Sequence, residues 1–444
     1  MDTGHTEGFG LPRSRATNER LHALIPGGAH TYAKGDDQYP EDLAPVISHG
    51  RGAHVWDLDG NRYVEYGSGL RSVSLGHAHP RVVEAVRREL DRGGNFVRPS
   101  VVEVEAAERF LATVPTAEMV KFAKNGSDAT TAAVRLARAV TGRSRVAVCA
   151  DHPFFSVDDW FIGTTPMSAG IPAATTELTV AFPYGDLAAT EELLTRYRDE
   201  VACLILEPAG HAEPPPGYLA GLRELAHRHG CVLVFDEMIT GFRWSEAGAQ
   251  GLYGVTPDLS TFGKALGNGF AVAALAGRRE LMERGGLRHS GDRVFLLSTT
   301  HGAETHALAA AMAVQDTYAE EGVTARLHAL GERLAAGVRE AAAAAGVGDH
   351  VLVRGRASNL VFATLDEQGQ PSQPYRTLFL RQLLLGGVLA PSFVVSSALD
   401  DADIEHTVEV VAGACAVYRK ALEAGDPTPW VGGRPVKPVF RRLA

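Results

Sequence analysis

Short apolar runs alternate with amphipathic stretches through the middle of the chain, which predicts a mostly parallel β-sheet covered by helices on both faces. The predicted strands are Val146–Ala150, Cys203–Leu206, Cys231–Phe235 and Ala271–Ala276. Helical periodicity is found at Leu219–Arg228 and Ala303–Tyr318, between or after these strands. We therefore expect an α/β core from about residue 70 to about residue 315.

The two ends of the chain follow different patterns. Ala53–Asp57 and Tyr63–Tyr66 flank an Asp-Gly-Asn turn at 59–61, which predicts a β-hairpin. A long alanine-rich helix is predicted at Val323–Ala345, before shorter strands and helices and a tail rich in proline and glycine. We predict three parts: an N-terminal arm and β-rich segment at 1–69, a large domain at 70–318, and a smaller α+β domain at 319–444 that ends in an extended tail.

Composition and charge narrow the class of protein. The 444 residues are 45% hydrophobic and 22% charged, which is typical of a globular protein. The 43 Lys and Arg against 53 Asp and Glu give a formal charge of −10, which disfavours nucleic acid as a partner. The four cysteines form no CxxC pair, and no uninterrupted apolar stretch is long enough for a signal or a membrane span. We expect a cytoplasmic protein without a membrane partner.

Two short segments carry the chemistry. The apolar run before Asp236 and Glu237 places these carboxylates at the carboxyl end of a buried strand, where open α/β sheets hold their ligands. Lys264 follows 28 residues after Asp236 in a turn that contains Gly263 and Gly267. Each residue alone has an ordinary explanation, a cap or a surface charge. Together they suit pyridoxal phosphate, which needs an amine for its aldehyde and an anion beside its ring nitrogen.

The amino-acid sequences of these two segments resemble those of a known family. FDEMITGFR at 235–243, followed by FGKALGNGF at 262–270, resembles the class III (fold-type I) pyridoxal-phosphate aminotransferases, and within them the glutamate-1-semialdehyde aminomutase branch. The likeness extends to PGG at 26–28, VWDLDGNRYVEY at 55–66, LGHAHP at 75–80, NGSDAT at 125–130 and LEP at 206–208. It implies a fold-type I α/β architecture, with a mostly parallel central sheet in the large domain and a smaller α+β C-terminal domain.

The resemblance also implies roles for single residues. Lys264 would form the Schiff base, Asp236 would pair with the pyridine nitrogen, Met238 would pack on one ring face, and Glu207 would lie near the O3 side of the cofactor. Asn125, Gly126 and Ser127 would cradle the phosphate at the start of a helix over Ala129–Thr141, with Ser127 or Asp128 as its N-cap. The Asp151–Ser156 segment replaces the usual stacking aromatic, which leaves Phe154 and Phe155 as alternatives to it or as ordinary core residues.

A partner subunit is implied as well. In this family a threonine of the second subunit contacts the phosphate, and Ser298–Gly302 resembles that segment without deciding between Thr299 and Thr300. We therefore expect a homodimer. His77 and His79 lie in a loop that binds no metal in the family, so no metal site is expected.

The substrate region departs from the aminomutase. Lys34 stands where that enzyme has a carboxylate-clamping arginine, and Phe393-Val394-Val395 stand where it has a glutamate. These departures favour amino transfer from glutamate or glutamine to an aldehyde or keto carbon of an amino-sugar or aminoglycoside intermediate, as in the sugar aminotransferases of this branch. His30, Tyr32 and Lys34 are candidate substrate contacts, whereas Asp36-Asp37 is better read as a solvated loop. The aminomutase or another intramolecular amine transfer or epimerisation remains the alternative, and a non-enzymatic regulator is disfavoured.

Overall fold

Thirteen strands form three sheets in the computed structural model of the chain, which describes residues 10–152 and 154–442. The strands are β1 (Ile47–Arg51), β2 (His54–Asp57), β3 (Arg62–Glu65), β4 (Met119–Ala123), β5 (Arg145–Cys149), β6 (Thr179–Phe182), β7 (Val201–Leu206), β8 (Val232–Asp236), β9 (Leu259–Phe262), β10 (Ala273–Gly277), β11 (Val351–Arg354), β12 (Val361–Thr364) and β13 (Val388–Leu389).

The largest sheet has seven strands in the order β4-β10-β9-β8-β7-β5-β6. β9, β8, β7, β5 and β6 pair in parallel, and β10 is antiparallel to both of its neighbours. The four strands expected from the apolar runs are β5, β7, β8 and β10. The predicted mostly parallel α/β sheet is confirmed.

Sixteen α-helices surround or connect the described strands. They are α1 (Pro12–Leu24), α2 (Ser68–Arg71), α3 (Pro80–Leu90), α4 (Val101–Thr113), α5 (Gly126–Thr141), α6 (Asp159–Ile162), α7 (Ala173–Thr176), α8 (Leu187–Arg196), α9 (Tyr218–Arg228), α10 (Gly248–Tyr253), α11 (Arg279–Met282), α12 (Thr305–Glu321), α13 (Val323–Ala344), α14 (Gln373–Leu385), α15 (Asp401–Ala424) and α16 (Thr428–Val431). The last of these is a single turn that interrupts the tail expected to be extended.

The start of α5 corrects one expectation. The N-cap is Asn125 rather than Ser127 or Asp128, because the Asn125 side chain accepts the Asp128 backbone N–H at 2.9 Å. Gly126 is therefore the first helical residue, and the helix begins one turn closer to the strand β4 that precedes it. Free N–H groups of this first turn consequently begin at Gly126.

Small side chains let α5 pack closely on the sheet. Ala129, Ala132, Ala133 and Ala137 are fully buried on this helix, and all residues of β7 and β8 are buried too. Strands that are buried on both faces are expected for a parallel sheet covered by helices. The helix is thus held against the sheet with its N-terminus at the edge where the parallel strands end.

The chain divides into two compact units that differ from the predicted three parts. One unit comprises residues up to Gly69, Ser74–His79 and Ala325–Arg441, and the other comprises Leu70–Val73 and Pro80–Thr324. The N-terminal segment shares a unit with the C-terminal residues because β13 pairs in parallel with β3, with Val388 opposite Val64. This pairing joins residues more than 300 positions apart, which local patterns do not encode.

The predicted hairpin of the first unit is formed by β2 and β3. The Asp57 carboxylate holds its turn, accepting the backbone N–H of Asp59 at 2.9 Å and of Asn61 at 2.8 Å and the hydroxyl of Tyr63 at 2.8 Å. Gly60 has φ of 94°, which glycine adopts without strain. Throughout residues 10–152 and 154–442, no helix combines the length and the apolar character that a membrane crossing requires.

Candidate active site

Three charged residues meet at the carboxyl edge of the large sheet. Asp236 is the last residue of β8, Glu207 follows β7 directly, and Lys264 lies two residues after β9. Because these strands are parallel neighbours, their ends lie at the same edge. The electrostatic effects of Asp236 and Glu207 on the pKa of Lys264 place all three groups in one cluster.

Asp236 is a buried carboxylate that accepts two hydrogen bonds from neighbouring residues. Its Oδ1 accepts the Met238 backbone N–H and the Thr261 hydroxyl, both at 3.0 Å, and Thr261 stands opposite Asp236 in the β8–β9 register. Burial raises the pKa of Asp236, whereas Lys264 and these two donors oppose the rise. Both hydrogen bonds go to the same oxygen, which leaves Oδ2 for a further donor.

Lys264 has an unusual backbone and an unusual environment. Its φ of 46° lies in the left-handed region, which costs a residue other than glycine free energy and is common at functional sites. Burial lowers the pKa of the Lys264 amine, Arg71 and Arg243 lower it further, and Asp236 and Glu207 oppose the shift. A larger fraction of the amine is therefore neutral and nucleophilic than in a surface lysine.

Met238 connects three of the sequence motifs. A Cβ added at Gly126 would lie 3.1 Å from the Met238 Sδ, and one added at Gly263 would lie 2.6 Å from the same atom. These two glycines therefore let the thioether pack between the start of α5 and the segment that carries Lys264. The predicted residues Asn125, Gly126, Asp236, Met238 and Lys264 are thus brought to one place.

Ser127 and Glu207 are also buried at this edge. The Ser127 hydroxyl accepts the Val157 backbone N–H at 3.0 Å, which fixes the loop after β5 to the start of α5. Glu207 has a pKa raised to about 7, first by burial and then by Asp236, while Lys264 and Arg71 oppose the rise. Glu207 therefore titrates near neutral pH.

The two candidate aromatic residues have different environments. Phe155 is 2% exposed, belongs to the main hydrophobic core, and contacts Phe161 edge to face at a centroid distance of 5.5 Å. Phe154 is 41% exposed and contacts the same Phe161 at 5.7 Å. Phe155 is a core residue, whereas Phe154 presents apolar surface. Pro153 lies outside the described residues.

Thr299 and Thr300 lie on an exposed turn before α12. The Thr300 carbonyl accepts the Asn95 side-chain N–H at 3.0 Å, and Glu304, the N-cap of α12, forms an ion pair with Lys124 at 2.5 Å. Within the described residues, neither threonine has a hydrogen bond to Asn125, Gly126 or Ser127. The ion pair with Lys124 holds this segment near the residue that precedes Asn125, without a hydrogen bond from either threonine to the predicted phosphate cradle in the described residues.

The predicted substrate residues belong to the first unit. His30, Tyr32 and Lys34 are exposed, and the last two lie in a short 3-10 turn. The following acidic pair is engaged rather than solvated: Asp36 accepts from His22 at 2.9 Å, and Asp37 accepts from Arg441 at 2.6 Å. The solvated reading of Asp36-Asp37 is wrong, because the C-terminal tail supplies the Asp37 partner.

Sequence reasoning placed Glu237 at the end of a buried strand without giving it a role, and it missed Arg243 and Arg71. Glu237 is fully buried and accepts the Thr240 hydroxyl and the backbone N–H groups of Ala249 at 2.7 Å and Gln250 at 2.8 Å, which closes the loop after β8. Arg243 is fully buried and donates to the Arg71 carbonyl at 3.2 Å. The sequence has no signal for the position of Arg71, which is half-buried at the end of the short helix α2 with a φ of 73°.

The amine, the buried carboxylate and the helix start fit the needs of pyridoxal phosphate, and comparison with known proteins agrees. The family model described as aminotransferase class-III matches residues 36–389. The chain is a class III aminotransferase. It depends on pyridoxal 5'-phosphate and acts as a transaminase. The described residues contain no group of three or more His, Cys, Asp or Glu side chains that could hold a metal ion.

Several relatives of this aminotransferase are known. A protein named glutamate-1-semialdehyde 2,1-aminomutase from Syntrophobacter fumaroxidans is 34% identical over 429 residues, which cover 90% of this chain and 97% of the relative. An omega-transaminase from Sphaerobacter thermophilus has a TM-score of 0.81 at 28% identity, with 93% of this chain and 97% of that chain covered. A transaminase with bound PLP has a TM-score of 0.83 at 26% identity, with 93% and 98% covered.

The buried Glu237 generates a prediction about stability. Burial raises its pKa to about 7, above the value of about 4.3 in an unfolded chain. Its contribution to stability is therefore complete below pH ~4.3 and is lost as the pH rises through 7. The Glu237→Gln variant cannot titrate, so we expect its free energy of unfolding to increase relative to wild type between pH 5 and pH 8, by at most about 1.4 kcal/mol per pH unit.

Chemical denaturation at several pH values measures this difference. Glu191→Gln is the matched control, because Glu191 is exposed on α8. A Glu237→Gln difference that stays constant with pH, as in the control, would contradict the predicted titration.

Proposed function

We propose that the enzyme transfers an amino group from glutamate or glutamine to an aldehyde or keto carbon of an amino-sugar or aminoglycoside intermediate. The observation that supports this acceptor is the replacement of both polar groups that hold the aminomutase substrate. Phe393, Val394 and Val395 are fully buried, and Phe393 packs against Tyr66 at 5.8 Å and Phe362 at 5.2 Å. These apolar side chains belong to a core and cannot replace a substrate-binding carboxylate.

Lys264 and Asp236 are the proposed catalytic residues, within a cofactor-binding segment at 70–318. Pyridoxal phosphate, when bound, supplies a carbonyl carbon that reacts with amines and a ring that accepts electrons as a proton leaves the substrate. Lys264, with its lowered pKa, would hold the carbonyl end of the cofactor, and its amine, when free, would supply the base and acid for proton transfer at the substrate carbon. Asp236 would accept the ring N–H through Oδ2, while Oδ1 stays bonded to Met238 and Thr261.

The remaining proposed cofactor contacts lie at the same carboxyl edge of the large sheet. Asn125, Gly126 and Ser127 would hold the phosphate at the start of the 16-residue helix α5, where free N–H groups and the helix dipole favour an anion. Met238 would contact one face of the ring. Of Phe154 and Phe155, we propose Phe154 for the other face, since Phe155 is committed to the core. Glu207 would lie on the O3 side.

The charges around Lys264 bear on the proposed acceptor. Arg71 and Arg243 both affect the pKa of Lys264, so the site contains more positive charge than the sequence indicated. Asp236 and Glu207 oppose this positive charge, which leaves the site compatible with an acceptor that carries both hydroxyl and ammonium groups. His30, Tyr32 and Lys34 stay the proposed acceptor contacts as exposed polar residues.

The aminomutase reaction is the second candidate. It is favoured by the name of the 34% identical relative, whose length this chain covers almost completely. The two candidates differ in one requirement, since intramolecular transfer needs no separate amino donor. We also propose a cytoplasmic homodimer, in which Thr299 or Thr300 of one subunit contacts the phosphate held by the other.

The first functional prediction concerns Lys264→Ala. We expect amino transfer to fall below detection, because no other amine replaces the Lys264 group in the reaction. Borohydride treatment of wild type should attach the cofactor to the peptide that contains Lys264, and the variant should lack this mass. Unchanged circular dichroism controls for folding. Near-native turnover by a folded variant would contradict the assignment.

The second prediction compares acceptors. The kcat/KM for glutamate-1-semialdehyde without donor should be at least about tenfold below that for an oxidised aminoglycoside or sugar aldehyde with glutamate, because a bidentate contact to a carboxylate is lost. Steady-state kinetics with each pair measure this ratio. Efficient donor-free isomerisation of the semialdehyde would establish the aminomutase reaction instead.

The third prediction addresses the subunit arrangement. Thr299→Val and Thr300→Val serve as controls for each other, since both residues are exposed on the same turn. We expect one of them to raise the Kd for pyridoxal phosphate by about ten- to a hundredfold through loss of a charge-assisted hydrogen bond. Sedimentation should show a dimer. A monomer at assay concentration, or two unchanged Kd values, would contradict the shared site.

A further inference from the structure

His152 is a buried histidine at the proposed cofactor edge, and none of the proposed catalytic roles involves it. It follows β5, is 8% exposed, and packs its ring against Phe155 and Tyr184 at centroid distances of 6.1 and 5.2 Å. Its Nδ1 accepts the backbone N–H of Glu207 at 3.0 Å. The ring is therefore held in one orientation beside the proposed O3-side carboxylate.

This hydrogen bond determines where the proton of the imidazole lies. An accepting Nδ1 carries no proton, and burial lowers the pKa of His152 to about 4, so the ring is neutral at neutral pH. A neutral ring with an accepting Nδ1 has its proton on Nε2. Within residues 10–152 and 154–442, no other residue accepts a hydrogen bond from Nε2, so this oriented donor is available to a ligand.

Gly210 leaves room in front of this donor. A Cβ added at Gly210 would lie 4.0 Å from the His152 Nε2 and 3.9 Å from the Glu207 Oε2, which are ordinary contact distances. The two atoms therefore border the same small space. One is a hydrogen-bond donor, and the other is an acceptor on a carboxylate whose charge affects Lys264.

We propose that His152 Nε2 and Glu207 Oε2 together bind a hydroxyl group of a ligand in front of Gly210. A hydroxyl both donates and accepts, so it satisfies both atoms at once. Glu207 would repel a carboxylate. An ammonium group has no acceptor for the hydrogen bond that the His152 Nε2 donates. The hydroxyl belongs either to the cofactor ring or to the acceptor, and only the second source rests on the proposed function.

Three substitutions at two positions test the pair by different means. His152→Asn retains an acceptor for the Glu207 N–H but is too short to present the Nε2 donor, and His152→Gln should restore that donor. Gly210→Ala fills the space without a clash. Gly413→Ala is the matched control, because Gly413 is exposed on α15 and an added Cβ meets nothing within 4 Å.

The first measurement uses the apoenzyme and the cofactor alone. Titration with pyridoxal phosphate and with 3-deoxypyridoxal phosphate gives a ratio of Kd values for each protein. If the ring hydroxyl is the ligand, wild type and His152→Gln should prefer pyridoxal phosphate by about tenfold, and His152→Asn and Gly210→Ala should lose that preference. This outcome supports the proposal whichever acceptor the enzyme uses.

The second measurement identifies the other source. If the Kd ratio is the same in all proteins, the KM for a hydroxylated acceptor should rise about tenfold in His152→Asn, with the KM for its deoxy analogue unchanged. The proposal is overturned if neither the Kd ratio nor this KM changes, or if the ratio is constant and the acceptor in turnover has no hydroxyl. Failure of all sugar acceptors in wild type would instead refute the proposed function. The titration with the two cofactors would still test whether His152 and Glu207 bind a hydroxyl group.

Discussion

The buried carboxylate of Asp236 beside the amine of Lys264 is the interaction on which the site depends. Burial disfavours the charged form of each group, and the attraction between them opposes both shifts. Neither charge would be tolerated alone at the end of a fully buried strand. The parallel pairing of β8 and β9 makes the arrangement possible, since it places Thr261 opposite Asp236 and Lys264 just beyond the strand end.

Close packing around Met238 fixes the shape of the site that contains Asp236 and Lys264. Gly126 and Gly263 admit the thioether where side chains would meet it, so that α5, β8 and the turn after β9 approach one another. Glu237 closes the loop that follows Met238 through its hydrogen bonds to Thr240, Ala249 and Gln250. The buried Glu237 side chain thus holds the loop that carries Met238.

The charge of the site is balanced by residues from distant parts of the sequence. Arg71 and Lys264 oppose the rise in the pKa of Glu207, and Arg71 and Arg243 lower the pKa of Lys264. The result is an amine of lowered pKa and a carboxylate that titrates near neutrality, both suited to proton transfer.

The sequence by itself determined the sheet, its helices and the pair of Asp236 and Lys264, because these depend on local periodicity and on residues adjacent to strand ends. It could not determine the N-cap of α5, the choice of Phe155 for the core, or the engagement of Asp37 by Arg441. The grouping of the N-terminal segment with residues 325–441 and the half-buried position of Arg71 were likewise decided by tertiary structure. Long-range strand pairing and backbone conformations with positive φ depend on contacts between residues far apart in sequence, and no local pattern specifies them.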